Sequence, residues 1–226
     1  MSKILCLETA TTNCSVCVAA AGQVIAIKEE NTANYSHAEQ LHVFIDDVLE
    51  EASLKLSDLD AIAVSKGPGS YTGLRIGVSA AKGLCFSLDI PLISIPTLES
   101  MANHVTLPEG AVVIPVLDAR RMEVYSAVFD ANLNEIRETK AEIIDASSFA
   151  AYKTASQVHL VGNGAEKCMA ILGENKNFQF DPSLFPSAME MGRLAHKKFE
   201  AGQFEDVAYF EPFYLKDFII QTKQKS

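Results

Sequence analysis

Two stretches of this chain 110 residues apart carry the same pattern, and that repeat limits the possible folds more than any other feature. Ile4-Leu-Cys-Leu7 reads as a buried strand, Thr9 to Asn13 as a polar turn, Ser15 to Ala20 as a second strand and, after Gly22, Gln23 to Glu29 as a third. Val112-Val-Ile-Pro-Val-Leu117, a turn at Asp118-Ala-Arg-Arg121, the alternating Glu123-Val-Tyr-Ser-Ala-Val-Phe129 and Glu135 to Ile144 repeat that three-strand meander. A shift of 110 lays Leu7 on Leu117, Glu8 on Asp118 and Val18 on Val128, so a carboxylate closes the first strand in both halves. An internally duplicated α/β chain is expected.

Helical patterns fill the gaps. Leu41, Phe44, Ile45, Val48, Leu49 and Ala52 follow helical spacing between Ser36 and Ser53, with Ser36 placed as N-cap and Glu39 completing a capping box. A strand at Ala61-Ile-Ala-Val64, the glycine-rich turn Ser65-Lys-Gly-Pro-Gly-Ser-Tyr-Thr-Gly-Leu-Arg-Ile-Gly77, a helix from about Thr72 to Leu88, a strand at Leu92-Ile-Ser-Ile95 and a helix from near Thr97 complete a βββαβαβα order. The second half continues with a short helical region near Ser147 to Tyr152, a strand at His159-Leu-Val161, the turn Gly162-Asn-Gly164 and a helix from Ala165 to Leu172. It is shorter and is expected to have lost elements. A helix from Ser187 to Ala201 and a segment opening at Pro212-Phe-Tyr-Leu215 follow. The expected division is an N-terminal lobe, 1–108, an abbreviated second lobe, 109–190, and a terminal helix and tail, 191–226, packing across both. Two βββαβα halves meeting at a cleft are the arrangement of actin, the sugar kinases and the Hsp70 ATPase, a ribonuclease H-like α/β fold.

In that architecture paired carboxylates work on metal-bound phosphate, which singles out Glu8 and Asp118. Equally, both can do no more than cap turns. Glu8 also stands one methylene longer than the Asp common at this turn, a shift to which phosphate chemistry is sensitive, so a relict role is expected. The glycine loop leaves the same two readings open. Gly67, Gly69 and Gly73 permit close backbone approach, and the helix N-terminus behind them favours an anion; a tight strand-to-helix turn needs the same residues. Glu8, Thr9, Gly67, Gly69 and Asp118 together outline a candidate nucleotide or phosphate cleft.

Composition narrows the partners. A net charge of −10 argues against broad electrostatic capture of nucleic acid, leaving Arg120-Arg121 and the tail Lys223-Gln-Lys225 as the small basic clusters. No apolar run approaches the ~18–20 residues of a spanning helix, and Met1-Ser-Lys lacks a signal-peptide pattern, so a cytoplasmic location is expected. The five cysteines are odd in number and mostly lie in apolar runs, which points to reduced thiols. Cys14 and Cys17 have the spacing of a metal-binding pair, yet an odd separation on a strand sends them to opposite faces. His37 and His42, five residues apart, lie about 140° apart on a helix, where chelation needs one face, and each is expected at the surface or an interface; no metal site is expected.

Ile4-Leu-Cys-Leu-Glu-Thr-Ala-Thr11 with Cys14-Ser-Val16, Gly67-Pro-Gly-Ser-Tyr-Thr-Gly-Leu-Arg-Ile-Gly77, Asp118-Ala-Arg-Arg-Met-Glu-Val-Tyr125 and Pro212-Phe-Tyr-Leu215 resemble, nearly end to end, the bacterial TsaB family, also called YeaZ. The resemblance implies a non-catalytic paralogue of TsaD, the subunit that transfers threonylcarbamoyl to the adenosine beside the anticodon of tRNAs reading ANN codons. It further implies partnership with a TsaD-like subunit, a TsaE-like ATPase and, through the complex, tRNA, with a homodimer when alone. ATP, ADP and metal would belong to those partners or to a subunit boundary. The first-lobe helices build the partner interface in that family, so Leu41, Ile45, Leu74 and Val78 are expected interface residues. Arg75, Arg120 and Arg121 are candidate tRNA contacts. The rival functions are an ATP-dependent phosphotransferase using Glu8 and Asp118 around magnesium and, disfavoured by the histidine spacing, a metallopeptidase.

Overall fold

The computed structural model describes residues 1–32 and 37–215. The meander forms as expected: β1 (Lys3–Glu8), β2 (Asn13–Ala20) and β3 (Gln23–Asn31) pair antiparallel in sequence order. Helix α1 (His37–Glu51) carries the chain to β4 (Ala61–Gly67), which joins β1 in parallel. Helix α2 (Tyr71–Leu88) and β5 (Leu92–Pro96) extend the sheet to the order β3-β2-β1-β4-β5, and α3 (Thr97–Ala102) leaves it. Ser36 lies outside the described residues, as does the tail beyond Leu215 with Lys223 and Lys225.

The second half repeats the plan. Strands β6 (Val112–Asp118), β7 (Glu123–Asp130) and β8 (Glu135–Ile143) form its meander, and β2 falls on β7 residue for residue under the 110 shift. β9 (Val158–Val161) pairs parallel with β6 and is followed by α4 (Ala165–Leu172). A strand the sequence reading lacks, β10 (Phe178–Asp181), pairs with β9 and completes the order β10-β9-β6-β7-β8, the same topology as the first sheet. Phe178-Gln-Phe-Asp181 alternates apolar and polar residues for only two periods, a minimal strand signal that the sequence reading passed over. The second lobe is therefore abbreviated in its helices and not in its strands: one 3-10 turn at Ala150–Tyr152 stands where α1 stands in the first lobe.

Both sheets are buried on two faces, which explains why β1 and β6 read as continuous apolar runs. Leu5, Leu7, Cys14, Val16, Ile62 and Val64 pack under α1 and α2, while Ile4, Cys6, Cys17, Ala63, Ile93 and Ile95 point the other way, against Met191, Leu194 and Ala195 of α5 (Ala188–Glu200). Cys14 and Cys17 thus take opposite faces as their spacing dictates. In the second sheet Ile114, Val116 and Leu160 pack under α4, and Val113, Leu117 and Phe129 pack against Leu98, Met101 and Ala102 of α3. The halves have exchanged helices: α3, made by the first half, covers the second sheet, and α5, made by the second, covers the first. A polar seam follows the exchange, where His104 Nδ1 meets Glu190 Oε1 at 2.8 Å and Arg193 Nη2 donates to Asn103 Oδ1 at 2.5 Å.

After α5 the chain returns over the first lobe as a strap. Glu205 N–H donates to the Leu92 carbonyl, Lys82 Nζ donates to the carbonyls of Ala208 and Phe210, and Phe213 N–H donates to the Lys66 carbonyl at 2.7 Å.

Candidate functional site

The turn after β1 and the glycine loop after β4 meet, but they leave no cradle. Ser70 N–H donates to the Ala10 carbonyl at 2.7 Å, and Thr9 Oγ1 donates to the Gly73 carbonyl at 2.9 Å. A side chain at Gly69 would run into the Ala10 carbonyl, one at Gly73 into the Thr9 carbonyl and one at Gly77 into Thr9 Oγ1. Gly67, at φ +104°, sits where a Cβ would be 2.9 Å from the Phe213 carbonyl of the strap. These glycines admit the chain's own turn and strap, and a phosphate group would have to displace both. His37 fastens the turn from the other side: it is buried and its Nε2–H donates to the Thr11 carbonyl at 2.7 Å, burial lowering its pKa against that bond. It is thus a core latch: of the two positions expected for it, surface or interface, the surface one is corrected.

Glu8 stands inside this knot, fully buried with Thr9. Its Oε1 accepts from Ala10 N–H at 2.6 Å and Ser65 Oγ at 2.8 Å, while the buried Oε2 has no hydrogen-bond partner. Burial pushes its pKa up to about 7, against the opposing bonds from Ala10, Ser65 and Thr9, with Glu190 adding a small push. Such a carboxyl is near half-protonated at neutral pH and is shielded from solvent. Glu8, Thr9, Gly67 and Gly69 therefore line no open cleft, and the sequence expectation is corrected.

Asp118 ends β6 in an exposed position with different partners. Its Oδ1 accepts from Arg120 N–H at 2.6 Å and from Lys167 Nζ at 2.8 Å, and that ammonium also bonds the Arg121 and Glu123 carbonyls. The two carboxylates of the duplicated turns are thus separately committed, one buried and one paired. Among the described residues no three His, Cys, Asp or Glu come together as metal ligands. Arg120 and Arg121 form the exposed tip of this turn, both in the left-handed backbone region, at φ +69° and +52°.

An open groove of about 690 Å³ lies between α1 and α2 of the first lobe. Half-buried Ile76, Ala80 and Leu84 supply its apolar surface, Gly83 adds bare backbone, and His42, Thr72, Arg75 and Ser79 edge it. Val43 of α1 and Phe86 of α2 are also exposed, 54% and 85%, outside the groove lining. The expected interface set is corrected by this geometry: Leu41, Ile45, Leu74 and Val78 are all buried in the lobe's own core, 0–4% exposed. Helix α2 is apolar or small on two faces, one turned to the sheet and one turned outward, and helical spacing alone does not tell them apart. The outward set Thr72, Ile76, Ser79, Ala80 and Gly83 was legible only as the complement of the inward one.

Two lobes of one duplicated topology, with helices exchanged across them, define an α/β protein of the actin and sugar-kinase class. A family model described as TsaD, tRNA N6-adenosine threonylcarbamoyltransferase, matches residues 27–222. The tRNA threonylcarbamoyladenosine biosynthesis protein TsaB of Escherichia coli is 31% identical over 98% of this chain and 97% of its own length. YeaZ from Pseudomonas aeruginosa superposes with a TM-score of 0.80 at 28% identity over 95% of this chain and 100% of that one. A second Pseudomonas aeruginosa structure, described as similar to the peptidase YeaZ, gives 0.81 at 28% identity over 96% and 100%. The chain belongs to the TsaB (YeaZ) family. Among the described residues no helix is long and apolar enough to cross a membrane.

Proposed function

We propose that this chain is a non-catalytic subunit of the machinery that makes threonylcarbamoyladenosine in tRNA, and that it acts by binding and activating a TsaD-like transferase through the α1–α2 face. The observation that carries the reading is the contrast between the two candidate sites: the turn that bears Glu8 is filled by the chain itself, whereas the groove is open, apolar and edged with small residues. Exposed apolar surface of this kind marks an association site. The likeness of this chain to the TsaD model suggests the occupant. Two related folds offer each other equivalent faces, so one surface serves a quasi-two-fold heterodimer or, without the partner, a homodimer. Activation is then differential binding: the subunit stabilises the productive state of the transferase. A TsaE-like ATPase and tRNA join through the assembled complex, and peptidase activity is not expected.

Nucleoside mass spectrometry of tRNA from depleted cells tests the whole reading. Wild type and Glu8→Gln should both restore threonylcarbamoyladenosine, and Ala80→Arg, which fills the groove, should not. Rescue by wild type but not by Glu8→Gln, together with ATP turnover by the isolated chain, would return chemistry to the β1 turn.

Gly83 offers a sharper contrast. A Cβ there meets nothing within 4 Å, and helix propensity favours Ala over Gly by about 1 kcal/mol. Gly83→Ala should therefore stabilise the isolated chain against denaturant and yet weaken its association, because the new methyl stands where a partner helix would approach. At the β6–β7 tip, Arg120→Ala and Arg121→Ala should each lower the salt slope of tRNA binding to the complex by about 1. An unchanged slope for both removes that tip from the RNA path.

A further inference from the structure

At the end of the groove nearest the glycine loop, the C-terminal strap reaches the first turn of α2. The Tyr214 ring packs on the Tyr71 ring with centroids 5.0 Å apart and planes tilted by 38°. Arg75, one turn along α2, donates from Nη1 to the Tyr71 hydroxyl at 3.2 Å and holds its guanidinium carbon 5.4 Å from the centre of the same ring. The strap is held at this place by Phe213 N–H on the Lys66 carbonyl, and Gly67 leaves the room that its passage needs. Arg75 is exposed and makes no ion pair among the described residues, so most of its five N–H donors are available.

We infer that Arg75 is a pre-oriented cation at the groove's mouth that pairs with a carboxylate on the partner subunit, and that the strap positions it through Tyr214 and Tyr71. This rests on the reading of the groove as the subunit-binding face. A guanidinium held against a ring and bonded to its hydroxyl has already lost part of its rotamer freedom, so less is lost when it closes on a planar carboxylate. The surroundings favour a protein carboxylate over an RNA phosphate. Helix α1, whose His37, Ala38 and His42 form the other wall of the groove, carries no lysine or arginine and exposes Glu39, Asp46 and Glu50 beside that wall, while its Glu51 is paired with Lys28 of β3. That wall repels a polyanion, whereas an apolar helix bearing one carboxylate is accommodated. Arg75 is thereby reassigned from the tRNA contacts expected from sequence to the subunit interface.

Calorimetric titration of the full chain with the purified TsaD-like subunit of the same genome, at low and moderate salt, tests the assignment. Arg75→Ala should weaken binding at least tenfold and flatten its salt dependence, and Arg75→Lys should recover only part, since an ammonium lacks the planar fork. Tyr214→Ala should weaken binding several-fold, Tyr214→Phe should behave as wild type, and Tyr214→Ala placed on Arg75→Ala should cost nothing more. That last result separates positioning from a general structural role. If Arg75→Ala binds like wild type while Ala80→Arg does not, the groove is the interface and the role of Arg75 is wrong. If Ala80→Arg also binds like wild type, the groove reading itself falls. Loss of tRNA retention by the assembled complex with subunit affinity intact would make Arg75 a phosphate contact and overturn the assignment.

Discussion

At pH 8 the Glu8→Gln variant should unfold with a free energy about 3 kcal/mol larger than wild type, and the gain should shrink below about 1 kcal/mol at pH 5. The carboxyl titrates near 7 in the folded chain, against about 4.5 in an ordinary environment, because burial penalises its charge. Between those values the folded state binds more protons than the unfolded state, so wild-type stability is complete below pH 4.5 and falls as the pH rises through 7. Gln reproduces the neutral acid: it keeps an oxygen for Ala10 N–H and Ser65 Oγ and carries no charge into the core. Denaturant titrations of both proteins across this range measure the difference directly. Parallel curves would mean that Glu8 ionises without penalty, hence that water or a cation reaches it, and the closed turn described above would be wrong. The sign also separates this chain from a kinase-like enzyme, in which a metal-binding carboxylate must be ionised at neutral pH and its conversion to amide abolishes turnover.

Gly73→Ala should destabilise the chain by roughly 3 kcal/mol, against the ~1 kcal/mol that helix propensity alone would return. The new methyl meets the Thr9 carbonyl, a backbone atom that the β1–β2 hydrogen bonds and the Glu8 knot hold in place. Gly77→Ala, one turn on, meets the Thr9 hydroxyl instead and should cost less. Adding Thr9→Ala should recover much of the Gly77→Ala loss and none of the Gly73→Ala loss, a non-additivity measurable by a double-mutant cycle on unfolding free energies. Were Gly73→Ala neutral, the β1 turn would not be seated in the glycine loop, and the loop would be open for a ligand after all.

Much of the architecture was legible because it rests on local patterns. Apolar runs and alternation placed nine of the ten strands, and the carboxylates Glu8 and Asp118 fixed the 110-residue repeat. The tenth, Phe178–Asp181, does alternate apolar and polar residues, but over only two periods, the shortest stretch on which alternation can mark a strand. The candidate site was less legible. Leu41, Ile45, Leu74 and Val78 have the right spacing for an interface and are core, since a helix with apolar residues on two sides gives no sign of which side meets its own sheet. The glycine loop was visible as a loop of unusual freedom, but whether that space admits a ligand or the chain itself depends on Thr9 and Ala10, about 60 residues earlier.

By itself the sequence determined nine of the ten strands, the five α-helices, the duplicated order and the family, each of which is read from patterns within short stretches of the chain. Only the tertiary structure decided that α3 and α5 are exchanged between the sheets, that Glu8 is enclosed, and that the C-terminal strap comes to rest on Tyr71. Each of these depends on a contact between segments distant in sequence. Local propensity is indifferent to such pairings, and burial of apolar surface selects among them only when the whole core closes.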